Sequence, residues 1–206
     1  MGDVALGPPR VAVVGLYSSG STCVAGCLHR LGVDMGPPFW FDEHNNFHEP
    51  YDLSCLLRHF WAEPLAEERT PRVVRTTLLG NWMAMREHLH GGPCGAKHPL
   101  LSLSLPELRD AWGPSLRVVW AQRSLEDSID SLRRRNWFGE HTEGLQRRLW
   151  KALRREITGA SLPHLPVDYT TMRRQPEETV DRLVDALGLE VDEERRRAAI
   201  DWIEPF

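Results

Sequence analysis

Apolar positions along this chain follow two periods. Val11-Ala-Val-Val-Gly15 and Leu116–Gln122 are near-continuous apolar runs rich in β-branched residues, the pattern of strands buried on both faces of a sheet. Cys94–Lys97, which runs into His98-Pro99, and Pro166–Tyr169 read as shorter strands, and Val33–Met35 predicts one more. Between them apolar residues recur every three or four positions. That spacing predicts helices over Thr22–Leu31, Tyr51–Ala62, Thr76–His90, Leu100–Trp112, Ser124–Arg135, Leu145–Ile157, Pro176–Leu187 and Asp192–Ile203. Gly32, Gly91-Gly92-Pro93 and Gly188 supply stops, and Ser124 with Asp127 forms a start signal. Pro37–Pro50 is polar, aromatic and proline-flanked, so it predicts an ordered loop. Strands alternating with helices predict an α/β fold, a three-layer α/β/α sandwich with a mostly parallel sheet. Ligands in such folds sit at the carboxyl ends of the strands.

Composition narrows the function. A chain of 206 residues with 41% hydrophobic content can close one core, so a single domain over 1–206 is expected. The formal charge of −4 argues against a nucleic-acid or membrane-surface partner. Of 25 basic residues only Lys97 and Lys151 are lysines, which singles out Lys97. The cysteines at 23, 27, 55 and 94 have no zinc-site spacing and read as reduced thiols of a cytoplasmic protein. Asp3 and two prolines precede the first strand without a basic leader, and no apolar run approaches about 18 residues, so neither a secretion signal nor a membrane span is expected.

The candidate chemistry begins where the first strand breaks into Gly15-Leu-Tyr-Ser-Ser-Gly20-Ser21-Thr22. A strand ending in a Gly/Ser loop at a helix start turns several N–H groups and the positive end of the helix dipole toward one point, which is an anion site. The loop matches the Walker A pattern except that Ser21 stands where the lysine belongs, and Gln122-Arg123 ends the later strand where a nucleotide triphosphatase places a magnesium-binding aspartate. A kinase is thereby disfavoured. Arg123 and Ser131, eight residues apart at the end of a buried strand and two turns into a helix, can clamp a second phosphate.

On these residues the chain resembles the sulfotransferase superfamily, whose donor is 3′-phosphoadenosine 5′-phosphosulfate (PAPS). Tyr17-Ser18-Ser19-Gly20-Ser21-Thr22 is similar to the Pro-[Lys/Arg]-Ser-Gly-Thr-[Ser/Thr] loop for the 5′-phosphosulfate, and Arg123 to Ser131 to the Arg-x7-Ser element for the 3′-phosphate. Gly95-Ala-Lys97-His98-Pro99 looks like the lysine stretch beside the transferred group. Asn45-Asn-Phe-His48-Glu49 resembles the Gly-x-Phe-Glu stretch of bacterial members, and Val167-Asp-Tyr169-Thr-Thr-Met172 with Pro176 to Leu189 resembles their Tyr-Glu-Asp-Leu ending. The resemblance implies a PAPS-dependent sulfotransferase of bacterial type, with PAP as product, no metal, and a hydroxyl or amine acceptor on a small molecule or glycan. It implies a general base among Glu49, His98 and His48, in that order, and Lys97 as a cation near the developing charge. One departure is plain: Ser18 occupies the position of the family's cation, leaving Lys97, Arg10 and Arg134 as candidates to replace it, with Arg133 to Arg135 close to the 3′-phosphate site. Phe39, Trp40 and Phe41 are candidates for the acceptor wall. The alternatives are a non-catalytic nucleotide-binding protein on the same fold and a small-molecule kinase with an altered loop.

Overall fold

The computed structural model describes residues 7–41, 46–63, 65–159 and 162–203; Asp3 and Asn45 lie outside them. In chain order the elements are β1 (Arg10–Gly15), α1 (Ser21–Arg30), β2 (Phe39–Phe41), β3 (Asn46–Pro50), α2 (Tyr51–Phe60), β4 (Trp61–Ala62), β5 (Glu67–Glu68), α3 (Arg72–His90) and β6 (Cys94–Lys97). There follow α4 (Leu105–Trp112), β7 (Leu116–Gln122), α5 (Leu125–Arg134), α6 (Thr142–Arg154), β8 (His164–Asp168), α7 (Tyr169–Arg174), α8 (Pro176–Leu187) and α9 (Glu193–Ile203).

Four strands form one parallel sheet in the order β6-β1-β7-β8. The pleat of β1 sends Val11 and Val13 to one side and Ala12 and Val14 to the other, all fully buried. Val11 and Val13 pack with α1, α8 and α9, through Leu28, Leu183 and Ile200. Ala12 and Val14 pack with α2 to α6, through Leu57, Leu79, Leu108 and Leu149. Helices thus cover both faces, the three-layer arrangement that a two-sided apolar strand demands. Among the described residues no helix is long and apolar enough to cross a membrane.

The structure corrects several local expectations. The segment read as a loop is an antiparallel hairpin, β2 with β3, pairing Phe39 with Pro50 and Trp40 with Glu49. Val33–Met35 forms only a single bridge, Asp34 to Cys94, because the Asp34 carboxylate turns inward to receive Arg86 Nε at 2.8 Å. The helix at Tyr51 stops at Phe60, since Trp61 turns extended and pairs with Glu68. Leu100–Trp112 divides at Ser104 into a 3-10 segment and α4, whose first turn holds Pro106, a position that needs no N–H. The helix predicted from Thr76 starts four residues earlier, after Pro71. Tyr169 opens α7 instead of closing β8, with Asp168 accepting from the Thr171 N–H at 2.8 Å.

Candidate active site at the carboxyl edge of the sheet

Because β1 lies between β6 and β7 and all three run parallel, the loops after them open on one edge of the sheet. The register sets Val13 beside Lys97 and Gly15 beside Ala121, so Lys97 and Arg123 flank the loop that follows β1. A cavity of about 430 Å³ opens there.

The loop is held from below by two side chains that no sequence pattern announced. Gln146 of α6 accepts from the Tyr17 N–H at 3.2 Å and donates to the Tyr17 carbonyl at 2.9 Å, as a neighbouring strand would. The Ser102 hydroxyl accepts from the Gly15 N–H at 3.3 Å and donates to its carbonyl at 3.1 Å. Ser18 is left-handed, with φ 59, and so is Gly20, with φ 85. A Cβ on Gly20 would lie 2.4 Å from the Tyr169 ring, so only glycine fits. Helix α1 then starts with no side chain capping it. Ser18, Gly20, Ser21 and Thr22 line the cavity, Ser19 is buried, and the hydroxyls of Ser18 and Ser19 have no hydrogen-bond partner among the described residues. An uncapped helix start beside free hydroxyls suits an anion. Arg123 closes the arrangement: its Nη1 donates to the Ser18 carbonyl at 2.8 Å.

On the β6 side Lys97 and Glu49 meet. Lys97 Nζ donates to Glu49 Oε1 at 2.6 Å, to Thr22 Oγ1 at 3.1 Å and to the Phe47 carbonyl at 3.1 Å. Both side chains are buried, and both line the cavity. Burial works against ionising Glu49, but the Lys97 ammonium, with Arg58 beyond it, outweighs it and holds the carboxyl below its ordinary value. His98 Nε2 lies 3.5 Å from Glu49 Oε2, while its Nδ1 accepts from the Leu100 N–H at 3.0 Å. Burial pushes the imidazole below its ordinary value against the opposing pull of Glu49, so His98 is neutral at pH 7 with its proton on Nε2. Tyr17 donates its phenol to Glu63, which Arg58 holds at 3.0 Å, and burial raises the phenol.

The remaining candidates scatter. His48 is buried against Phe39, at 4.9 Å between ring centroids, and Trp202, at 5.2 Å, outside the lining of the cavity. Ser131 is buried in α5 and is not among the lining residues. Arg10 sits at the opposite end of β1, about 16 Å from the loop at strand rise, in a two-point pair with Glu87 at 2.6 and 2.9 Å. Arg135, not Arg134, reaches the cavity. Trp40 stacks on Tyr51 and Phe39 packs on His29, away from the cavity; the Phe41 side chain lies outside what is described. The aromatic lining comes instead from Tyr17, Phe47, Trp137, Tyr169 and Trp202. Trp202 is brought in from the last helix: its indole donates to the Cys23 carbonyl at 3.0 Å and lies over Gly26, where a Cβ would stand 2.4 Å from the ring.

No protein-family model and no curated protein matches the sequence. Solved structures do. Sulfotransferase STF1 from Mycobacterium tuberculosis is 18% identical, with 96% of this chain and 72% of that one covered at a TM-score of 0.58. The sulfotransferase domain from the curacin biosynthetic pathway is 13% identical, covering 91% and 76% at 0.60. The sulfotransferase domain of the Synechococcus PCC 7002 olefin synthase is 16% identical, covering 95% and 78% at 0.59. At such identities the likeness is one of architecture, and the architecture is the sulfotransferase fold.

Proposed function

We propose that the chain is a sulfotransferase that moves a sulfuryl group from PAPS to a hydroxyl or amine of a small-molecule or glycan acceptor. The 2.8 Å contact of Arg123 with the Ser18 carbonyl carries this reading, because it sets a fixed cation from the second strand against the anion loop of the first. The unpartnered hydroxyls of Ser18 and Ser19 and the uncapped start of α1 suit a phosphosulfate. The cavity, about 430 Å³, falls in the usual small-ligand range of about 300–1,000 Å³.

In this reading Ser18, Ser19, Gly20, Ser21 and Thr22 hold the 5′-phosphosulfate, and Arg123 holds the 3′-phosphate with Arg135 adding charge, while Ser131, buried in α5 off the cavity lining, supports that helix from behind. Bound PAPS supplies an activated sulfuryl group and leaves as PAP, with negative charge growing on the phosphate side. Lys97 then replaces the cation missing at Ser18, since it already reaches the Thr22 hydroxyl on the loop. Glu49 takes the acceptor proton: it is ionised and lines the cavity. His98 is a positioning residue in this scheme, because its one lone pair faces the Leu100 N–H. His48 stands apart from the chemistry. The enzyme so proposed is one domain over 1–206, cytoplasmic and independent of metal.

A second reading is favoured by Ser18 and by the closed Lys97–Glu49 pair: a protein that binds PAP on the same fold without turnover. Incubation with radiolabelled PAPS and a panel of alcohols and amines separates the two. Sulfated product that disappears in Glu49→Gln supports the enzyme. PAP affinity without product, and product appearing only in Ser18→Lys or Ser18→Arg, supports the binding protein. Stabilisation by ATP with magnesium and no response to PAP would instead point to a kinase.

A further inference from the structure

The solvent face of α6 is basic along its length. Arg147, Arg148, Lys151 and Arg154, with Arg155 just beyond the helix end, are all exposed. Their spacing traces one stripe about 12 Å long at helical rise. Trp150 lies within it, 36% exposed, with the Arg154 guanidinium 5.3 Å from its ring centroid. The first residue of the stripe is linked through Glu143 to the stretch that supplies the site. Glu143 accepts from Arg147 at 2.8 Å and from Arg133 at 2.8 Å, which ties the end of α5 to the start of α6, and Arg135 and Trp137 of the same stretch line the cavity. Residues 133–155 hold eight basic side chains against two acidic ones, in a chain whose net charge is −4.

A solvated arginine-rich helix ordinarily pairs its charges, and α9 does so. Arg195 faces Asp192 at 3.9 Å, Arg196 faces Asp181 at 2.8 Å and Arg197 faces Asp201 at 2.8 Å. At the two ends of the α6 stripe Arg147 pairs with Glu143 and Arg155 with Glu156, at 2.8 and 2.7 Å, but between them, among the described residues, Arg148, Lys151 and Arg154 have no ion pair. Like charges one turn apart repel, so the bare stripe is a feature that a bound polyanion relieves.

The make-up of the face selects the polyanion. A stable protein interface needs an apolar core from which charged residues are depleted, and this face offers only Trp150. A single-stranded nucleic acid needs a succession of aromatic platforms, and here there is one. Spaced guanidinium forks around one flat ring suit carboxylates or sulfates carried on a sugar chain. We infer that the α6 face docks a linear acidic oligosaccharide that runs from the cavity mouth along the helix. This rests on the sulfotransferase reading, which it deepens by making the acceptor an anionic glycan.

The test is calorimetry on the full chain with a heparin oligosaccharide of about ten sugars, beside uncharged dextran, a single-stranded DNA of equal charge, and PAP. Heparin is expected to bind at about 0.1 M salt and to weaken severely at about 1 M, where the screening length shrinks from about 10 to about 3 Å. The triple variant Arg148→Glu, Lys151→Glu, Arg154→Glu, all at exposed positions, should lose about a hundredfold, at about fivefold for each cation. Trp150→Ala should weaken heparin severalfold, and dextran should not bind. PAP affinity is expected to be unchanged in every variant, so a PAP result bears on the nucleotide reading and a heparin result on this one. Heparin affinity that survives the triple variant, or DNA binding as tight as heparin, overturns the inference.

Discussion

Lys97 Nζ stands 2.6 Å from Glu49 Oε1, joining the end of β6 to the end of β3 through two buried charges in the cavity wall. The consequence is unequal for the two partners. Glu49→Gln keeps a hydrogen-bond acceptor for the ammonium, so the fold and PAP affinity should persist while transfer falls by about 10²–10⁴, the usual contribution of a general base. Lys97→Met strands a buried carboxylate and should cost about 3–5 kcal/mol of stability, much of it recovered in Lys97→Met with Glu49→Leu. Denaturant titrations of the three variants, read beside PAP calorimetry, check both halves.

The same cluster sets a pH dependence. Glu49 titrates below its ordinary value and so does His98, so in both cases the unfolded chain binds protons more readily than the folded one. Their contribution is complete above the unfolded values. It should decline for His98 as pH drops below about 6.5, and for Glu49 below about 4.3, the ordinary values of those groups. Melting temperature should therefore fall from pH 7 toward pH 4, and His98→Gln should flatten the upper part of that slope. A melting temperature that rises on acidification contradicts the burial argument.

Arg123→Ala removes the charged bond to the Ser18 carbonyl and should weaken PAP about ten- to a hundredfold, in line with hydrogen bonds to charged groups of about 1.5–3 kcal/mol. Arg123→Lys should recover part of it, since the charge remains but the fork is lost. Equal PAP affinity in Arg123→Ala would remove this residue from the nucleotide site.

Gly20→Ala meets two obstacles, a left-handed backbone and the Tyr169 ring 2.4 Å from the new Cβ. A loss of about 1–3 kcal/mol is expected for the backbone alone. Pairing it with Tyr169→Ala should restore only the steric share, so the double variant should be less unstable than the sum of the singles but never as stable as the parent.

Gln146→Leu leaves the Tyr17 N–H and carbonyl without partners in a buried setting, at about 1–3 kcal/mol each. Because Gln146 lies outside the cavity lining, any drop in PAP affinity would report loosening of the loop. Hydrogen exchange at Tyr17 and Ser18 should accelerate in this variant.

The strands that frame the site were readable because burial on both faces leaves little freedom: Val11 to Val14 are fully buried, Val118, Val119 and Ala121 of β7 are buried beside them, and the loop and arginine that follow are fixed by the strand ends. The hairpin at β2 and β3 was not, since its strands are short and Asn46 to Pro50 carries polar and aromatic residues in a sequence that also suits a loop. Trp202 reaches the cavity across 179 residues of chain from Cys23, and no local period encodes such a contact. Ser131 marks a different limit. Helical spacing shows that a residue recurs on a face, but which face turns toward the cavity depends on packing, and α5 turns Ser128 and Ser131 into buried surroundings.

Calorimetric titration of PAP into the unmodified chain tests the central claim most directly, with ATP and magnesium as the comparison. The account predicts one PAP per chain, at least tenfold tighter than ATP by about 1.4 kcal/mol, and weakened in Arg123→Ala. No heat with PAP, or ATP bound as tightly, would contradict it.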